Sequence, residues 1–331
     1  MQADRAKRPR RAGPPNDPKK LRAAVVLLLC LAALVFSISL GVRLFSSAGG
    51  KNAAPEVQET VLPSARGTNI HATVTLPGTA EGAGLVVYCH GFTGNRRGDG
   101  HYAPLAAALA EGGVASIAID FAGSGESEEP FTAYTLESMY DDIDSAVSYM
   151  QTTYGTDAAR VGLVGHSMGG RAVALHLSES IAAAALWSPA TGDGLDGLEF
   201  IDHDAAGREA FRAAAAETGS YAVPGWNIAI SSDFIEQMAA SHPLDNIRAY
   251  QAPLLIAYAG GDPDLLSQNT IDTTMQAAGE RGTPFTDLSA EFAGATHNYA
   301  AISGDTAESA QISEKLESTT AEFFLTALAA K

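Results

Sequence analysis

Cysteine is nearly absent from this chain: 331 residues hold two, Cys30 and Cys89. One falls in a long apolar run and the other in a predicted buried strand, so there is neither a disulfide framework nor the spacing of a structural metal site. Basic residues are scarce outside the N-terminus. Residues 1–22 hold eight Lys/Arg against two Asp, a net of +6, and with −17 for the whole chain the remainder carries −23. So acidic a body repels nucleic-acid phosphates, which argues against a nucleic-acid partner. No segment recurs at a fixed period.

Long uncharged apolar runs are missing too, with one exception. From Ala23 to Val42 there are 20 residues without a charge, and at ~1.5 Å per residue they span ~30 Å, the thickness of a bilayer core. Basic residues flank the run on one side and Arg43 on the other. A cleaved signal peptide is the competing reading, with Ser46-Ser47-Ala48 as its cleavage site. The run exceeds the usual ~7–15 residues of a signal core, which favours an uncleaved anchor. A lipoprotein reading at Cys30 fails because Leu29 precedes it and the apolar run continues to Leu40. By the positive-inside rule the N-terminus stays cytoplasmic and everything after Arg43 lies outside. The expected organisation is a basic tail (1–22), a transmembrane anchor (23–42), a small, polar linker (43–56) and one catalytic domain (57–331); if the anchor is cleaved, the domain is secreted.

Within that domain, Val57 to Leu62 and Ile70 to Leu76 read as an antiparallel edge hairpin. Short runs apolar on both sides follow at Leu85 to Cys89, Val114 to Ile119, Val161 to Val164, Ile181 to Leu186 and Pro253 to Ala259, each typical of a strand covered on both faces. A further strand is predicted to end near Phe292. Helices are predicted at Tyr102 to Glu111, Leu136 to Tyr154, Gly170 to Glu179 and Leu265 to Glu280. A closing helix carries Ile312, Leu316, Phe323 and Ala327 on one face. Alternating strands and helices imply an α/β fold with about eight strands, mostly parallel, and helices on both faces. Residues 188–250 interrupt the alternation. Their aromatics, among them Phe200 and Trp226, suggest an inserted cap lining a pocket; the alternative is a surface excursion packing its own small core.

Chemistry enters at Gly165-His166-Ser167-Met168-Gly169, which lies between a buried strand and a helix. On such a turn G-x-S-x-G is a nucleophile elbow, with glycines letting strand and helix approach while the serine is held exposed. A serine hydroxyl needs a base, and the base needs a group to fix its tautomer. Among eight histidines, His297 sits in a loop after a strand, able to reach the mouth of the sheet; His90 and His166 lie inside other motifs. His71, His101, His176, His203 and His242 have no matching context and read as solvated or packed. Two acids follow the run ending at Ala259, Asp262 and Asp264, and either can serve, Asp264 also reading as a helix cap. The backbone N–H groups of Met168 and Phe92 are placed to form the oxyanion hole. No cofactor or metal is required.

These segments resemble the α/β-hydrolase superfamily, and more closely its bacterial cinnamoyl/feruloyl esterase-like branch, over about residues 60–330. The carriers are His90-Gly91-Phe92-Thr93-Gly94-Asn95, Asp120-Phe121 with Gly123, Gly125 and Ser127, the elbow through Gly170, Gly261-Asp262-Pro263, and Thr296-His297. The resemblance favours Asp262 over Asp264, completes a triad in the order Ser167, Asp262, His297, assigns Phe92 to the oxyanion hole, and implies a cap at 188–250. The chain departs from it after Asp262, where Pro263-Asp264-Leu265-Leu266 stands in place of the usual Val-Val or Val-Pro pair. The expected activity is that of a serine carboxylic ester hydrolase on a small acyl ester. A prolyl-aminopeptidase-like peptidase shares the fold and holds the substrate's amino terminus with cap carboxylates, for which Glu199, Glu209, Glu217 and Glu236 are available. A non-catalytic exported binding protein is the third reading. Arg97-Gly98-Asp99 and Asp202-His203-Asp204 read as solvated loops rather than an adhesion or metal motif.

Overall fold

Strands apolar on both sides must be covered on both sides, and the central sheet obeys this. The computed structural model describes residues 54–330. The tail at 1–22, the anchor at 23–42 and nearly all of the linker therefore lie outside the described residues. Among those described, no helix is long and apolar enough to cross a membrane.

The hairpin of β1 (Glu56–Pro63) and β2 (Asn69–Leu76) is antiparallel, with Glu56 opposite Leu76. The alternation then begins: β3 (Gly84–Cys89), α1 (Tyr102–Glu111), β4 (Val114–Ile119), α2 (Leu136–Tyr154), β5 (Val161–His166), α3 (Met168–His176) and β6 (Ala183–Trp187). After an insertion it resumes at β9 (Leu254–Ala257), α7 (Gln268–Gly279), the two-residue β10 (Thr286–Asp287) and α8 (Thr306–Ala327). The insertion contains α4 (Ala205–Thr218), the hairpin β7 (Ser220–Val223) and β8 (Ile228–Ser231), α5 (Ser232–Ala239) and α6 (Pro243–Ala249).

Eight strands form the main sheet in the order β1-β2-β4-β3-β5-β6-β9-β10. The β1–β2 and β2–β4 pairs are antiparallel and the rest parallel. Side chains alternate between its faces. Val87, Cys89, Leu163 and Leu186 pack on one side with Met139, Ile143 and Met150 of α2 and Val173 of α3. Val86, Tyr88, Val164 and Ala185 pack on the other with Leu105 and Leu109 of α1 and Leu316 and Phe324 of α8. Local signals agree with this packing: α2 starts at a capping box between Thr135 and Ser138 and stops at Gly155, whose φ of 71° suits a left-handed cap.

Several boundaries differ from the sequence expectations, each for a local reason. The predicted strand ending near Phe292 shrinks to Thr286–Asp287, because the Asp287 carboxylate accepts the Ser289 N–H and turns the chain into a short 3-10 segment, Ser289–Phe292. β9 stops at Ala257 because Tyr258 N–H is taken by Ser289 Oγ and Ala259 N–H by Asp262 Oδ2. The helix predicted from Leu265 starts at Gln268, capped by Ser267, which leaves Leu265 and Leu266 in a loop. The elbow helix begins at Met168 and ends at His176, before a turn closed by Ile181 N–H on Ser178 O. On α8 the fully buried aromatic is Phe324, and Phe323 only flanks the core. The hairpin β7–β8 is not anticipated by the sequence pattern; its turn holds Gly225 and Asn227 at positive φ.

Candidate active site

Parallel strands β3, β5, β6 and β9 end at one edge of the sheet, and the chain connections diverge there, β3 leading to β4 on one side and β5 to β6 on the other. Ligands of open α/β sheets gather at such a point. A cavity of about 260 Å³ opens there, lined by the turns after β3, β5 and β9, the loop of residues 297–298, and Phe200 and Trp226 of the insertion.

Ser167 stands at its floor with φ 54° and ψ −117°, a strained conformation for a residue with a side chain. The strain is held by packing. A Cβ at Gly165 would fall 2.4 Å from the Gly169 oxygen, and one at Gly169 only 2.1 Å from the Cys89 oxygen. Ser167 N–H donates to Trp187 O at 2.9 Å, while its carbonyl accepts from Ala190 and Arg171. Met168 follows as the first residue of α3, where backbone N–H groups have no partner within the helix. Gly91 lies against the serine, its virtual Cβ 3.1 Å from Ser167 Cβ, so the Gly91-Phe92 backbone runs beside the hydroxyl.

His297 and Asp262 meet across two loops. His297 Nδ1 lies 2.6 Å from Asp262 Oδ1, and the carboxylate, fully buried, accepts the Ala259 N–H at 2.6 Å on its other oxygen. Asp264 is exposed and points to no such partner role; the cap of α7 is Ser267. The two loops are sewn together by Gly260 N–H on Phe292 O and Gly261 N–H on Ala295 O, both 2.9 Å. This approach requires glycine: a Cβ at Gly260 would lie 2.0 Å from Ala293 O. Tyr299, at φ 56°, pins the histidine loop by donating to Ala257 O at 2.8 Å.

Two histidines that the sequence leaves without a catalytic role stabilise this geometry. His90 is buried; Phe121 N–H donates to its Nε2 at 3.1 Å, so the proton sits on Nδ1 and donates to Gly91 O at 2.8 Å. Burial lowers its pKa and keeps it neutral, as that pattern needs. It bolts the turn of Phe92 to the end of β4. His166 is pushed down to about 3, by burial first and by His297 next, and its Nε2–H donates to the His297 carbonyl at 2.9 Å. Asp120 braces the same region from the other side. Its carboxylate accepts from the backbone of Arg96 and Glu126 and pairs with the Arg96 guanidinium, tying the loops after β3 and β4 together.

The cavity walls differ in character. Phe92, Phe200, Trp226, Leu265 and Leu266 supply the apolar lining, Phe92 lying 5.0 Å from Phe200 and 5.6 Å from Trp226 between ring centroids. Asn95, Asp99, His166 and Asn298 supply polar groups. Asp99 belongs to the Arg97-Gly98-Asp99 loop, which the sequence suggests is merely solvated; Gly98, at φ 51°, lets the loop fold against Tyr102 and brings it to the cavity. The Asp202-His203-Asp204 stretch is a helix start, with Asp204 capping α4, and among the described residues no cluster fit to hold a metal occurs. Of the four glutamates noted in the insertion, none lines the cavity. Glu199 accepts from Ser267 N–H and Thr270 Oγ, Glu236 pairs with Arg212, and Glu209 and Glu217 face solvent.

Strand order, elbow and insertion together define an α/β-hydrolase. The chain belongs to the hydrolase family described as serine aminopeptidase, S33, which it matches over residues 80–278. No curated protein matches it in sequence. Solved structures share the fold at low identity. Est1E of Butyrivibrio proteoclasticus, with ferulic acid bound, superposes at a TM-score of 0.57 and 18% identity, covering 80% of this chain and 98% of that one. An esterase of Pyrococcus furiosus gives 0.55 and 18%, covering 83% and 92%. The α/β hydrolase GrgF of a Penicillium species gives 0.57 and 15%, covering 83% and 100%.

Proposed function

We propose that the protein is a serine carboxylic ester hydrolase working through an acyl-enzyme. Ser167 Oγ attacks the ester carbonyl while His297 Nε2 takes its proton, Asp262 holding the other ring nitrogen protonated. The carbonyl oxygen, now negative, is received by the backbone N–H groups of Phe92 and Met168. Collapse breaks the ester C–O bond, and His297 returns the proton to the departing alcohol. Water, activated by the same histidine, then attacks the acyl-serine and releases the carboxylic acid. No cofactor takes part.

The observation that carries this reading is the 2.6 Å contact between His297 Nδ1 and the buried Asp262, at a cavity shared with a serine in the strained elbow conformation. Such strain is retained where function requires it. Esters are favoured over peptides because the prolyl-aminopeptidase-like reading holds the amino terminus with carboxylates of the cap, and the glutamates of the insertion are engaged or turned away. The catalytic domain is proposed to work outside the cytoplasm, tethered by residues 23–42.

A panel of aryl esters and aminoacyl amides tests the reading. The expected result is turnover of acetyl and butyryl esters, weaker turnover of palmitoyl esters whose chains outgrow a cavity of about 260 Å³, and none of aminoacyl amides. Faster cleavage of the amides than of any ester would overturn it.

A further inference from the structure

His101 opens α1, with its ring buried between that helix, α8 and the histidine loop, and only 7% of its surface exposed. Both ring nitrogens face acceptors. Nδ1 lies 2.9 Å from Glu317 Oε1 on α8, and Nε2 lies 3.1 Å from the backbone oxygen of Asn298. A carboxylate and a carbonyl only accept at neutral pH, and a neutral imidazole has a single N–H. Satisfying both contacts therefore takes the imidazolium. The edges of Trp187 and Tyr299 close the sides of the ring, with centroids 6.2 and 6.3 Å away.

Asn298 is the residue after His297, so whatever holds its carbonyl holds the base. Further bonds fix the same loop, among them His166 to the His297 carbonyl, Tyr299 Oη to Ala257 O, and Thr296 N–H to Ala300 O. His101 differs from these in carrying a titratable charge. We propose that His101, as an imidazolium clamped between Glu317 and the Asn298 carbonyl, is a positioning residue that keeps His297 in register with Ser167 and Asp262 only while it is protonated. The inference rests on the reading of His297 as the general base.

The electrostatic surroundings agree with the geometry. Burial opposes the charge, but Glu317, the Asn298 carbonyl and Asp99 outweigh it and hold the imidazole above its ordinary value. The groups facing it are Glu317 from α8, Asp99 from the turn before α1, His166 from the end of β5, which stays neutral, and the phenol of Tyr299, also neutral. The sign follows. A raised histidine stabilises the fold fully below its unfolded value and loses that contribution as pH rises through the folded one. Catalysis should therefore show an alkaline limb, because His101 must be charged to hold His297 in place.

The test is the pH profile of kcat and kcat/KM for p-nitrophenyl acetate with the full-length protein, comparing wild type with His101→Gln and Glu317→Gln. His101→Gln is expected to lower kcat at neutral pH by ~10–100-fold, the scale of a small misplacement of a catalytic group, with little change in KM and no alkaline limb. Glu317→Gln should move the alkaline limb down by one pH unit or more, and Glu317→Asp should move it back. In wild type the His101 C2–H resonance should titrate above about 6.5, the ordinary histidine value. If His101→Gln does not fold, Glu317→Gln and the resonance decide. An alkaline limb unmoved in Glu317→Gln, wild-type kcat in His101→Gln, or a resonance titrating below the ordinary value would overturn the proposal. Absence of ester turnover and of fluorophosphonate labelling in the wild type would instead sink the reading of Ser167, and the resonance with its shift in Glu317→Gln would still judge the clamp.

Discussion

Replacing Ser167 with alanine is expected to reduce kcat for ester hydrolysis by about a million-fold, the scale seen when the nucleophile of a serine hydrolase is removed. The fold should be unaffected. Alanine keeps the Cβ that the elbow already accommodates at φ 54°, and the bonds holding that residue, from Ser167 N–H to Trp187 O and from Ala190 and Arg171 to its carbonyl, are all made by the backbone. Wild-type thermal stability with turnover gone is thus the expected pair of results. Residual rate above the uncatalysed reaction should remain, because the backbone donors proposed at Phe92 and Met168 are untouched and an oxyanion site retains ~10³–10⁴-fold on its own. Steady-state kinetics beside a melting curve checks both halves.

Asp262→Asn is expected to cost about 10⁴-fold in kcat, the scale for a triad acid made neutral, and the local hydrogen bonds explain why. Asp262 uses both carboxylate oxygens, one for His297 Nδ1 and one for the Ala259 N–H. Asparagine has one oxygen. If that oxygen stays with Ala259, the amide NH2 faces His297, which must then accept at Nδ1 and carry its proton on Nε2, where the base should be. If the amide turns over, the buried Ala259 N–H faces a donor, at a cost of about 1–3 kcal/mol in stability. Either arrangement damages something measurable. Kinetics and a denaturation curve on the same variant distinguish them, and an Asp262→Asn enzyme with both near wild type would contradict the role of the acid.

The strands were legible because their chemistry is simple. Runs such as Leu85 to Cys89 and Val114 to Ile119 are apolar at every position, and only a sheet covered on both faces accommodates them. What escaped the sequence was decided by single side chains acting at a distance. β9 ends where Ser289 and Asp262 capture the next two N–H groups, of Tyr258 and Ala259, and β10 ends where Asp287 captures the Ser289 N–H. No periodicity signals a capture of that kind. The insertion was readable as ordered but not as a hairpin, since four-residue strands around Pro224 and Gly225 leave too short a pattern.

The site shows the same division. The elbow is local, and its glycines are explained by contacts within a few residues of Ser167 and the adjoining turn. The choice between Asp262 and Asp264 was open on residue type alone, because both follow the same strand; burial and the loop bonds of Gly260 and Gly261 set Asp262 beside His297 and leave Asp264 in solvent. His101 and Glu317, 216 positions apart, meet only through the docking of α8 on α1. Leu265 and Leu266, which end the stretch after Asp262 where the chain departs from the family resemblance, line the cavity.

Covalent labelling tests the central claim most directly. A fluorophosphonate reacts with a serine only when a base has activated it. The expected result is one phosphonate per chain, located by peptide mass spectrometry on the peptide that holds Ser167, with labelling abolished in Ser167→Ala and strongly slowed in Asp262→Asn. A folded wild-type protein that stays unlabelled, or a label that lands on another residue and survives Ser167→Ala, would contradict it.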